Sequence, residues 1–358
     1  MIQFLDQLDS FIWGPPLLVL LVGTGIMLTI RLGLIQVTKL PQALKLIFKS
    51  DDSGEGDISS FGALCTALAA TVGTGNIIGV ATALAAGGPG ALFWMWFAAF
   101  FGMATKYAEG VLAIKYRQLD ENGQVAGGPM YYITNGMGEK FKPLAIFFAF
   151  SGGLVALFGM GTFTQVNAIT SSIENTLHLP AEGVGIVLAL LVGIITFRGI
   201  NSISKVAEKV VPVMAACYLI ICVTILVINH ASLLPAFELI FKSALTPTAA
   251  VGGFTGATVA MAIRNGVARG VFSNESGLGS APIAAAAAKT EWAAEQGLIS
   301  MTGTFIDSLI ICTLTGLTLM VTGVWQMSDV ATGALTETAF NTVLPTIGGL
   351  PLGSVLLM

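Results

Sequence analysis

Apolar stretches of bilayer-crossing length, separated by short polar clusters, run the whole length of the chain. A hydrocarbon core about 30 Å thick needs about 20 mostly apolar residues per helix. In that unit, spans are predicted over residues 16–34, 61–86, 91–113, 143–173, 184–197 and 210–228. A polar stretch with Lys242 follows, then residues 250–288, too long and too interrupted for one plain helix. Residues 297–324 form the next span, and a last apolar run starts at Leu350. Lysines and arginines collect in short cytoplasmic loops. With the N-terminus outside, only Lys242, Arg264 and Arg269 of the sixteen basic residues fall elsewhere than the cytoplasmic side. Segments 51–57 and 117–142 are then cytoplasmic, and residues 36–48, with Val37, Leu40, Leu44 and Ile47 at helical spacing between lysines, read as an amphipathic helix on the inner face.

Two spans carry patterns hostile to a continuous helix. The first is Ala70-Thr71-Val72-Gly73-Thr74-Gly75-Asn76-Ile77-Ile78-Gly79, in the middle of the second span. Glycine costs about 1 kcal/mol relative to alanine in a helix interior, and hydroxyls and Asn76 offer the backbone local alternatives. The second is Phe272-Ser273-Asn274-Glu275-Ser276-Gly277-Leu278-Gly279-Ser280, inside 250–288. Unwound backbone at mid-membrane is tolerated only where it is buried in protein or lines a watery cavity. The first segment enters from the cytoplasm and the second from outside, the signature of an inverted repeat. A Gly-x-Gly is weak as a string, and small residues also serve close helix packing. Thr71, Thr74 and Asn76, with Ser273, Asn274, Glu275 and Ser276, exceed what packing needs, and an intramembrane carboxylate is a functional hypothesis by default.

Composition narrows the class. The 358 residues are 54% hydrophobic and 10% charged, with 43 glycines, a net charge of −4 and a mean hydropathy of +0.84. Soluble domains carry about 25% charged residues, and no basic run exists to neutralise phosphates, so a soluble enzyme or a nucleic-acid binder is excluded. Cys65, Cys217, Cys222 and Cys312 lie in apolar stretches without CxxC spacing and read as small buried hydrophobes. Asp6 and Asp9 stand where a signal peptide would be basic, so the first span is expected to be a retained helix. No HExxH, GxSxG or Walker A run is present, against a membrane-embedded enzyme.

The breaks also carry a resemblance. Gly73-Thr74-Gly75-Asn76-Ile77-Ile78-Gly79-Val80, Gly87-Gly88-Pro89-Gly90-Ala91, Gly127-Gly128-Pro129-Met130-Tyr131-Tyr132 and the long run from Arg269 to Ile283 closely resemble the alanine/glycine:cation symporter family, also called sodium:alanine symporters, over essentially the whole chain. The resemblance implies an all-α polytopic membrane protein with a leucine-transporter-like core of two five-helix inverted repeats, preceded by one extra N-terminal helix. It also implies uptake of small neutral amino acids such as alanine or glycine across the bacterial inner membrane, driven by sodium or, in some members, protons. In such a core the first helix of each repeat is the broken one. The organisation expected is 1–57 for the N-terminal transmembrane helix and amphipathic linker, 58–229 for the first repeat, 230–249 for an outer connection and 250–358 for a partial second repeat. A second repeat as long as the first would end about sixty residues beyond Met358, so the chain is expected to be C-terminally truncated and, in this form, not to transport.

An amino-acid substrate calls for recognition of a carboxylate, an ammonium and a small side chain. The N–H groups of Gly73, Thr74 and Gly75 at a half-helix N-terminus suit the carboxylate. Carbonyls near Ala70 and Thr71, with the Asn76 side chain, suit a hard cation such as sodium. Gln165, one turn after Gly161, is expected to reach the substrate, the alternative being an interhelical hydrogen bond. Phe272 would limit side-chain space or simply pack, and rejection by shape alone is worth about 1–3 kcal/mol. Ser273, Asn274, Ser276 and Gly277 supply polar groups at the second break, and Glu275 would pair with Arg269 or with a substrate ammonium. Asp307 would carry a proton, help hold a cation or act as a hydrogen-bonded structural acid. Lys106 and Glu109 read as an interfacial i,i+3 pair, and His178 and His230 fall in outer loops. The competing membrane reading is a channel using the same breaks as a filter, although filters usually repeat identical loops around an axis.

Overall fold

A computed structural model describes residues 3, 4, 8, 11–48, 54–158, 160–246, 258–327, 329–347 and 350–357. Asp6, Asp9, Lys49, the start of segment 51–57 and residues 250–257 of the long seventh stretch lie outside the described residues. The rest is overwhelmingly helical. Among the described residues, four helices are long and apolar enough to cross a membrane, Gly90–Lys115, Glu139–Leu177, Ile200–Ile228 and Ala293–Thr322, and a bent pair, Ser60–Thr71 with Gly75–Gly87, makes a fifth.

In chain order, α1 (Pro15–Arg31) is followed by a short helical turn at Ile35–Thr38 and by α2 (Leu40–Ile47). The expected amphipathic helix is thus two pieces, divided at Lys39 because Pro41 has no N–H to continue the earlier turn. The broken span is α3 (Ser60–Thr71), a π-helical turn at Gly75–Gly79 and α4 (Val80–Gly87). Ser59 caps α3 by accepting the Gly62 N–H at 2.9 Å. Next come α5 (Gly90–Lys115), a small hairpin of β1 (Gln118–Leu119) and β2 (Val125–Ala126), α6 (Lys142–Phe158), α7 (Met160–Leu177), α8 (Ala181–Thr196) and α9 (Ile200–Ile228). The stretch expected to be a plain connection folds into α10 (Leu233–Leu245). The second broken span is α11 (Val259–Asn274) and α12 (Ala281–Ala286). It is followed by α13 (Ala293–Thr304), a π-helical run at Phe305–Cys312, α14 (Thr313–Thr322) and α15 (Leu335–Val343).

The central helix is α5. Small residues let its neighbours touch it: a Cβ on Gly266 of α11 would lie 2.3 Å from the Ala91 carbonyl oxygen, and one on Gly297 of α13 would lie 2.9 Å from that of Tyr107. Such close backbone approach is how helices associate when lipid removes the hydrophobic drive between them. The periphery is correspondingly apolar. No residue of α8 is buried, and its Ile186, Leu190 and Ile194 are more than 60% exposed, a surface suited to lipid and not to water. Cys65, Cys222 and Cys312 are buried as expected, while Cys217 is exposed on the apolar surface of α9.

Candidate functional site

Both interrupted spans open where the glycine and polar clusters lie, and the openings touch. Helix α3 is 12 residues long, which carries it about 18 Å from its start at Ser60. The chain then turns by 51° before the helix resumes. Asn76 explains much of the turn: its Oδ1 accepts the Gly73 N–H at 2.8 Å, while its own N–H and that of Ile77 donate to the Gly73 carbonyl. The resumed helix keeps Thr74 and Gly75 as its orphan amide donors. In the second span α11 ends at Asn274, Glu275 takes a left-handed conformation, and Gly277 and Gly279 have φ of +87° and +81°, values that glycine adopts without strain.

A buried polar node joins the two breaks. Asp307, fully buried on the π-helical run, receives Asn76 Nδ2 at 2.7 Å on Oδ1 and the hydroxyls of Ser273 at 2.9 Å and Ser308 at 2.8 Å on Oδ2. Asn76 Nδ2 also reaches Ser273 Oγ at 3.1 Å, and Asn274 Nδ2 donates to Ser308 Oγ at 2.9 Å. The Ser276 N–H donates to Asn274 Oδ1 at 2.9 Å, and Ser276 Oγ lies 3.0 Å from Thr304 Oγ1. A carboxylate out of water needs such donors, and π-helical segments recur at functional sites because they re-aim side chains.

Several predicted residues meet here and others do not. Asn76, Ser273, Asn274 and Ser276 enter the node. Gln165 sits against the first break, its Oε1 3.0 Å from where a Cβ on Gly73 would be, and Gly75 passes within 3.3 Å of Ser273 Cα on the same measure. The Gly73 N–H is already engaged by Asn76, which leaves Thr74 and Gly75 as the amides open to a ligand. Thr71 turns its hydroxyl back to the Ala67 and Leu68 carbonyls, and Ala70 is exposed, so of the three residues assigned to a cation only Asn76 reaches the node. Phe272 lies under the Arg269 guanidinium, 6.0 Å from the ring centroid. Arg269 and Glu275 form no ion pair among the described residues; Glu275 accepts from the Ser280 hydroxyl instead.

The interfacial reading of Lys106 and Glu109 is corrected outright. Both are buried and bind the second break, Lys106 Nζ donating to the Asn274 carbonyl at 2.8 Å and Glu109 Oε1 accepting the Gly279 N–H at 3.2 Å. Composition hid this, because two charges near the end of an apolar run look like the membrane boundary. Ser308, Thr304 and Thr336, whose hydroxyl donates to the Ile77 carbonyl of the first break at 3.0 Å, were also not singled out. The Thr304–Asp307–Ser308 spacing on one span was the available signal.

At the ends of α5 and α12, Arg117 ties the two broken spans together. Its guanidinium donates to the carbonyls of Ala286 at 2.9 Å, Ala288 at 2.7 Å and Glu55. Beside it Asp57 N and Ile58 N donate to the Ala287 carbonyl, and Lys289 N donates to that of Ile58 at 2.7 Å. Burial lowers the Arg117 guanidinium from its ordinary value, opposed by Glu55 and Asp57 nearby.

A bundle of apolar helices, two of them unwound against each other around a buried carboxylate, defines an all-α polytopic membrane protein. The chain belongs to the sodium:alanine symporter family, whose model matches residues 1–358. It is 56% identical over 338 residues to an uncharacterized transporter of Haemophilus influenzae, covering 94% of this chain and 74% of that protein. It is 50% identical over 356 residues to the sodium/alanine symporter AgcS of Methanococcus maripaludis, covering 98% and 77% respectively. It is 36% identical over 336 residues to the probable sodium/glutamine symporter GlnT of Bacillus subtilis, covering 93% and 68%.

Proposed function

We propose that this protein is a secondary transporter of a bacterial inner membrane that couples sodium entry to uptake of small neutral amino acids such as alanine or glycine. The observation that carries the reading is the contact between the breaks, through Asn76, Ser273 and Asp307, in a member of a symporter family. A site made from two half-helices of opposite insertion suits alternating exposure, because rocking one set of helices against the other opens it to each side in turn. The same feature supports a leucine-transporter-like arrangement, with α1 as an extra helix and repeats over 58–229 and 250–358.

The substrate carboxylate docks on the Thr74 and Gly75 amides, where the helix dipole favours an anion, with the Gln165 amide beside it and Gly73 keeping the approach open. Ser273, Asn274, Ser276, Gly277 and the Phe272 ring form the opposite wall. The coupling ion takes the carbonyl end of α3, at Ala70 and Thr71, with Asn76 linking ion and substrate sites; a proton is the alternative ion. In proteoliposomes of the protein at the full length of its relatives, unlabelled alanine on the trans side should accelerate entry of labelled alanine. Entry indifferent to trans alanine would mean a pore.

A further inference from the structure

The second break exposes two kinds of backbone group, carbonyls at the end of α11 and amides before α12, and each kind has a charged partner from α5. Lys106 and Glu109 stand three residues apart on one face of that helix, are 3% and 7% exposed and form no ion pair with each other. The ammonium bonds the Asn274 carbonyl and the carboxylate bonds the Gly279 N–H, the pairing that the partial charges at helix ends favour. We propose that Lys106 and Glu109 are a resident ammonium and carboxylate that hold the second break open from within. They are positioning residues, and they occupy the backbone groups that an amino acid's own ammonium and carboxylate would otherwise seek. The charged groups of the substrate are then read at the first break, a consequence that rests on the symporter reading above. No side chain carboxylate bonds the Thr74 or Gly75 amides among the described residues.

The volume around Lys106 makes a direct test available. A cavity of about 20 Å³ is lined by Lys106, Thr71, Asn274 and Gln296 among others, and Gln296 Oε1 is buried without a hydrogen-bond partner. Truncation by Lys106→Ala adds the volume of the lost side chain to that space, enough for methylammonium. The purified variant should melt at lower temperature than the wild type and bind labelled alanine about tenfold or more weakly, as expected for loss of a buried charge-assisted hydrogen bond. Methylammonium chloride should restore both, whereas sodium chloride at equal concentration should not. Lys106→Arg, able to reach the same carbonyl, should retain melting temperature and binding where Lys106→Met loses them. The proposal is overturned if Lys106→Met melts like the wild type, if the Arg variant is no better than the Met variant, or if methylammonium competes with alanine instead of restoring its binding. Wild-type protein that binds no alanine would fail the symporter reading alone, since the melting measurements decide the clamp without substrate.

Discussion

Asp307 draws donors from three elements, the first break, α11 and its own π-helical run, so the cost of altering it is set by the groups it would leave stranded. Asp307→Asn keeps the shape but turns one acceptor into a donor that faces Asn76 or the two serines. A buried polar group without a partner costs about 1–3 kcal/mol, and the expected result is a lower melting temperature together with loss of alanine uptake; unchanged melting would mean that the node is not load-sharing. Gln165→Ala should weaken alanine binding while leaving melting intact, and Asn76→Ala should lower both, since Asn76 also closes the first break. Gly73→Ala separates space from hydrogen bonding, because the added methyl meets only the end of the Gln165 side chain. That variant should fold and bind alanine more weakly, as equilibrium binding to purified protein would register. Asn76 and Gln165 were legible in the sequence because an amide in an apolar run has few explanations. Lys106 and Glu109 were not, because position along a span does not reveal whether a charge faces lipid headgroups or a neighbouring helix.

The broken helices are the elements whose form follows most directly from local chemistry. The Asn76 amide closes the turn at the first opening, and left-handed Gly277 and Gly279 with the Asn274 side-chain amide shape the second, all within a few residues of the break they serve. The Arg117 latch depends instead on residues distant in sequence, and only the fold brings Glu55, Ala286 and Ala288 to one guanidinium. Arg117→Ala strips those carbonyls of a shared donor and frees the start of α3 from the end of α12. Hydrogen exchange should then quicken at the Ile58 and Lys289 amides, which bond across this junction. Exchange as slow as in the wild type would show that the backbone pairing holds these ends together without the arginine.

Across the whole molecule, apolar surface faces outward from α8 and much of α6 and α9, while the polar residues gather around α5, the breaks and α13. Most spans were legible within a few residues because bilayer thickness sets their length. The helices α10 and α15 were not, since each is short and mixed in character and owes its place to packing: Ile240 of α10 and Phe340 of α15 are fully buried. The division of the amphipathic segment at Lys39 was likewise hidden until the proline's missing donor was seen in its setting. The central claim, that the joined breaks bind an amino acid together with its driving ion, is tested most directly by labelled-alanine uptake into proteoliposomes of the protein at the full length of its relatives, with sodium and pH gradients imposed separately. An inward sodium gradient should concentrate alanine inside the vesicles and its collapse should release it. Equal uptake with and without either gradient would contradict the account.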